Sequence, residues 1–100
     1  MAHWLLSYTL APDYLERRAQ YRQKHLVLAW AAAERGELLL AGAVGDPVED
    51  ALLLFLGDGP ETAEAFAAAD PYVCEGLVTG WRVRRWATVA GRDAATPVRP

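Results

Sequence analysis

The sequence predicts one α+β domain with the element order β-α-β-β-α-β, and three observations carry that reading. A strand-like alternation opens the chain, two helix-like segments each follow a strand, and two apolar runs joined by a turn-rich stretch lie between them. At 100 residues the chain has the size of a single domain with one core.

Residues 3 to 10 alternate, with Trp4, Leu6, Tyr8 and Leu10 on one side and Leu5, Ser7 and Thr9 on the other, as a strand requires. Pro12 suits the first turn of a helix, and Asp13 with Glu16 three positions later makes a capping-box-like start. The helix is expected to run to Arg35, where Gly36 can take the left-handed position beyond its end. At ~100° per residue, Leu15, Ala19, Arg22, Leu26, Ala29 and Ala33 fall in one stripe, expected to face the core. His25 falls on the border of that stripe, on the flank with Arg18 and Tyr21.

Glu37 to Val44 and Asp50 to Leu56 read as two strands of a hairpin, joined through Gly45, Asp46 and Pro47. Both are apolar on consecutive residues, so both faces of the sheet are expected to be covered. The helices of one chain cover only one face, and the other predicts a partner subunit.

Asp58, Gly59 and Pro60 open a second helix with Glu61 and Glu64 in its first turns, where the helix dipole favours anions. It ends near Asp70, because Pro71 disfavours helical backbone at the residue before it. A short turn follows over Pro71 to Glu75. Leu77 to Val89 is the last strand, with Arg82, Arg84, Trp86 and Thr88 on one face, and Arg85 marking a bulge or an exposed end. Residues 1–90 form the domain, and residues 91–100, aperiodic and rich in small and charged groups, are expected to be a mobile tail. Two β-α-β halves in one four-stranded antiparallel sheet make a ferredoxin-like fold with its helices on one side.

Composition narrows the function. Apolar residues make up 53%, a globular proportion in which much of the excess is alanine. A net charge of −3 disfavours nucleic-acid binding, even with Arg82, Arg84 and Arg85 clustered near the end. No apolar run approaches the ~18 residues of a membrane span. The single cysteine, Cys74, rules out an internal disulfide, and with no signal-peptide pattern the expected location is cytoplasmic.

Two segments resemble a known family. Tyr21-Arg22-Gln23-Lys24-His25-Leu26, followed by Arg35-Gly36-Glu37-Leu38-Leu39-Leu40-Ala41-Gly42, is similar to the helix and second strand of YCII (YciI-like) proteins. Asp70-Pro71-Tyr72, Gly76-Leu77, Trp81 and Trp86 resemble that family's aspartate-proline turn and closing strand. One departure is Ala43, where the family often has proline. The resemblance implies a dimeric α/β-barrel type assembly of two ferredoxin-like subunits. It also implies an active site with a histidine and an aspartate, at His25 and Asp70.

The residues themselves allow that chemistry. An imidazole can take or give a proton near neutral pH, as general acid or base work requires. A carboxylate beside it favours the charged ring and orients it, whereas Arg22, three residues earlier, opposes the charge. Asp70 also reads as a helix N-cap before proline, and its two oxygens can serve both roles. Tyr8, Ser7, Arg22 and Tyr72 are the expected substrate-binding residues. Cys74 is expected to be a packed small residue. His3 and His25 lack metal-ligand spacing, and no phosphate-binding glycine loop occurs, so neither a metal nor another cofactor is expected. The leading expectation is a homodimeric lyase or isomerase in which a His25–Asp70 pair moves a proton on a small organic molecule. The alternative is a non-catalytic dimeric module that binds a small ligand.

Overall fold

The computed structural model describes residues 1–100. Its elements run β1 (Ala2–Leu10), α1 (Tyr14–Glu34), β2 (Leu38–Val44), β3 (Asp50–Gly57), α2 (Glu61–Ala69), α3 (Pro71–Cys74) and β4 (Val78–Trp86). The strands form one antiparallel sheet in the order β2-β3-β1-β4, the ferredoxin-like arrangement. Leu6 pairs with Leu53 on one side and Val83 on the other, which fixes which residues share a face.

One face carries the core. Leu6, Tyr8, Ala51, Leu53 and Phe55 are buried there, and Phe66 of α2 packs on Phe55 at 5.4 Å between ring centroids. The residues between them, Leu52, Leu54 and Leu56, are only half-buried. The three helices therefore lie on one side, and Leu5, Leu52 and Leu54 line the other with Leu40, which is 73% exposed. Within one chain only one face is covered.

Helix α1 differs from expectation in two ways. Asp13 makes no side-chain cap bond, because its backbone (φ −99°, ψ 16°) lies outside the extended region from which a cap reaches N2 or N3. Its carbonyl accepts from Arg17 N at 3.1 Å instead. The packing face is also turned by about one residue, ~100°. Tyr14, Ala29 and Ala32 are buried and Tyr21 and His25 half-buried, while Leu15 and Leu26 are 51% and 40% exposed. Amphipathic tyrosines and a histidine fill the contact, so the most apolar stripe is not the core stripe.

The far end of α1 is as expected. Gly36 sits at φ +79°, its N–H donates to Ala33 and that of Glu37 to Ala32, closing a Schellman motif that sends the chain back as β2. Strand β4 stops at Trp86 rather than Val89, because its partner β1 has run out: Trp86 pairs with His3. Arg85 lies at that exposed end, and the irregularity of the ladder falls instead between Thr9 and Leu10. Beyond it Val98 N donates to Val89 O at 2.8 Å, and Thr88 Oγ1 lies 2.6 Å from His3 Nδ1. No helix is long and apolar enough to cross a membrane.

Candidate functional site

The sharp turn between α2 and α3 is set by Asp70. With ψ of 123°, as a residue before proline prefers, it ends α2 and caps α3, its Oδ1 accepting from Tyr72 N at 3.0 Å. Its side chain is completely buried. A buried carboxylate needs partners, and this one has three. Tyr8 on β1 donates its hydroxyl to Oδ2 at 2.7 Å. His25, near the middle of α1, places Nδ1 at 2.9 Å from Oδ1 and 3.0 Å from Oδ2.

Every neighbour of Asp70 is thus a donor, an arrangement that suits an ionised carboxylate. A carboxylate can only accept, so neutral His25 carries its proton on Nδ1. Nε2 makes no hydrogen bond within the protein and is not sealed from solvent. Two aromatic rings contact the imidazole. Tyr72 stacks on it at 3.9 Å with an interplanar angle of 7°, and Phe66 presents an edge-to-face contact at 6.3 Å.

Burial pushes the Tyr8 phenol far above its ordinary range, and the Asp70 charge adds to the effect, so Tyr8 stays a donor. Burial also pushes the Tyr72 phenol up to about 12, with Tyr14 beside it acting the same way and Arg22 and Arg18 opposing.

His25 lines a cleft of about 390 Å³ between α1 and β2, whose walls are mostly apolar. Its far wall includes Leu38 and Ala41, and Trp30, 67% exposed, stands on the helix side. The cleft brings together five of the six residues expected from the sequence: His25, Arg22, Tyr8 and Tyr72 line it, and Asp70 stands behind His25. Tyr8 lines it with its hydroxyl committed to Asp70.

Ser7 is the correction. Strand alternation puts it on the face opposite Tyr8, where its Oγ accepts from Arg84 at 3.3 Å, so it has no place in the cleft. Cys74 is also not packed: it ends α3 exposed, its Sγ 3.4 Å from Ala68 O. Sequence reasoning gave no role to Tyr14, Phe66 or Trp30. Tyr14 shares the α1 flank of Arg18 and His25, at the i, i+4, i+11 spacing that reveals it.

The sequence matches no protein-family model and no curated protein. Solved structures do resemble it. A 5-chloro-2-hydroxyhydroquinone dehydrochlorinase (TftG) from Burkholderia phenoliruptrix AC1100, in complex with 2,5-dihydroxybenzoquinone, aligns with a TM-score of 0.69 at 18% identity. That alignment covers 84% of this chain and 92% of that one. Protein Atu4242 from Agrobacterium tumefaciens aligns with a TM-score of 0.58 at 12% identity over 95% and 98% of the two chains. At these identities the likeness shows a shared fold, and this chain has the ferredoxin-like α+β fold of both proteins.

Proposed function

We propose that this protein is a small homodimeric enzyme of the YCII type in which His25 transfers a proton during an elimination or isomerisation on a small cyclic organic molecule. The observation that carries this reading is the division of labour on one imidazole: Nδ1 is bonded to Asp70 at 2.9 Å, and Nε2 is open beside an apolar cleft. That is the arrangement of an oriented general base.

In an elimination, Nε2 takes the proton from a carbon next to a carbonyl. The C–H electron pair becomes the new double bond as the leaving group departs from the adjacent carbon with its own pair, and the imidazolium is stabilised by Asp70. In an isomerisation the same proton is returned to a different carbon. Tyr8 and Tyr72 act as positioning residues, Tyr8 by fixing the carboxylate and Tyr72 by fixing the ring plane. The likeness to a dehydrochlorinase, whose name describes loss of hydrogen chloride from a chlorinated hydroxyquinol, supports the elimination branch. The half-buried apolar face with Leu5, Leu52 and Leu54 supports a second copy packed sheet to sheet. The expected setting is the cytoplasm.

The test is enzyme-dependent consumption of halogenated hydroxyquinols, beginning with 5-chloro-2-hydroxyhydroquinone, and of cyclic keto-enols, followed by absorbance and chloride release. Wild type should turn over at least one, and His25→Ala should lose about 10²–10⁴-fold of the rate. Equal rates in the two proteins would remove His25 from the chemistry. Binding of 2,5-dihydroxybenzoquinone with no turnover of any compound would leave the ligand-binding module instead.

A further inference from the structure

The cleft has a polarity that the proton-transfer pair does not use. Two guanidinium groups, Arg18 and Arg22, line it one helical turn apart on α1, and no aspartate or glutamate does. The ion pairs of the chain are Arg17 with Asp13, His25 with Asp70, Arg35 with Glu37 and Arg92 with Asp93. Arg18 and Arg22 therefore have no ion-pair partner, in a protein whose net charge is −3. Arg18 is held rather than free: its guanidinium lies 5.7 Å from the centroid of the Tyr14 ring, and Tyr14 packs edge-on against Tyr72 at 5.7 Å.

The Tyr72 hydroxyl adds to this cluster. It makes no hydrogen bond within the protein, is not sealed from solvent, and feels the positive charge of both arginines. Two donor-only cations and a phenol O–H gather at one end of the cleft. Further along α1 the lining turns apolar, with Leu26, Ala29, Trp30 and Ala33 facing β2. His25 lies between the two regions.

We propose that the molecule bound in this cleft is an organic anion, whose charged oxygens are taken by Arg18 and Arg22 while its apolar body lies along Leu26 and Trp30. This rests on the proton-transfer reading of the same cleft and names the substrate class. At 1.5 Å per residue, Arg22 and Arg18 lie ~4.5 Å and ~10.5 Å from His25 along the helix axis. The anionic group thus stands about one ring-width from the carbon that His25 deprotonates. A carboxylate, phenolate or enolate on a small ring satisfies that spacing, and a guanidinium donates to both oxygens of a carboxylate or to the single oxygen of a phenolate or enolate.

Binding, read without turnover, tests this independently of catalysis. Benzoate, salicylate and 2,5-dihydroxybenzoquinone are titrated into the protein beside their uncharged counterparts benzamide, salicylamide and 2,5-dimethoxybenzoquinone, with amide NMR shifts as the readout. At least one anion should bind more tightly than its neutral counterpart and perturb residues along α1 and β2. Arg18→Gln and Arg22→Gln should each weaken it about tenfold, with Arg18→Lys and Arg22→Lys recovering part of the loss and the neutral compounds unmoved. His25→Ala should keep the arginine-dependent binding, so a failure of the proton-transfer reading would not remove it. Unfolding midpoints of all variants exclude loss of fold as the cause. The proposal is overturned by neutral compounds binding as tightly as the anions, by arginine variants that bind anions unchanged, or by no anion binding at millimolar concentration.

Discussion

His25 Nδ1 stands 2.9 Å from Asp70 Oδ1, and Tyr72, two residues after that aspartate, stacks on the same imidazole at 3.9 Å. The group that accepts from the ring and the group that fixes its plane therefore come from one turn, held by the bond from Tyr72 N to Asp70 Oδ1. Tyr72→Phe keeps the stack and should stay close to wild type in stability, whereas Tyr72→Leu removes it. The expected gap between the two variants is about 1 kcal/mol or more, measured by urea unfolding. Equal stability of the two would mean that the stacked ring contributes nothing.

Tyr8→Phe takes one donor from a completely buried carboxylate and replaces it with nothing. Such a loss costs about 1–3 kcal/mol. The urea midpoint should fall with an unchanged slope, and a variant as stable as wild type would contradict the role of this hydroxyl.

Alkali should unfold the protein through the same two phenols. Each holds its proton more tightly when folded, Tyr72 at about 12 against an ordinary 10.0 and Tyr8 further still. Between the unfolded and folded values the unfolded chain has released protons that the native state still binds, so stability falls as pH rises. The contribution is complete below the ordinary value of 10.0 and is lost as pH climbs through the folded values. Thermal midpoints across this range should drop in wild type and drop less steeply in Tyr8→Phe. A profile that rises above pH 10 would reverse the sign of the argument.

The fold was legible because strand alternation, turn residues and the Asp70-Pro71 break are local signals. The His25–Asp70 pair came from resemblance, since nothing local ties two residues that far apart. What stayed hidden depended on tertiary context. Leu15 and Leu26 looked like core because a stripe of apolar residues does not say whether it faces a core, a cleft or solvent. Tyr14 and Tyr21 took the packing positions instead. Its hydroxyl groups Ser7 with Tyr8 by chemistry, whereas strand alternation puts these neighbours on opposite faces.

The uncovered sheet face predicts a dimer that a single charge can break. Leu54 pairs with Leu5 at the centre of that face, and Leu40 beside them is 73% exposed. Leu40→Asp costs little in an isolated subunit but buries an unpaired charge in a sheet-to-sheet dimer. Light scattering should give a dimer mass for wild type and a folded monomer for the variant. A wild-type monomer at high concentration would contradict the proposed assembly.

In the proposed mechanism Asp70 holds neutral His25 with its proton on Nδ1, leaving Nε2 as a base in the cleft. Long-range ¹H–¹⁵N NMR of the imidazoles reads this directly, with the His3 signals assigned by comparison with His25→Gln. At a pH where the ring is neutral, His25 should show a protonated Nδ1 and an unprotonated Nε2, and Asp70→Asn should disturb that preference. A proton on Nε2 in the wild-type protein, or a tautomer unchanged by Asp70→Asn, would contradict it.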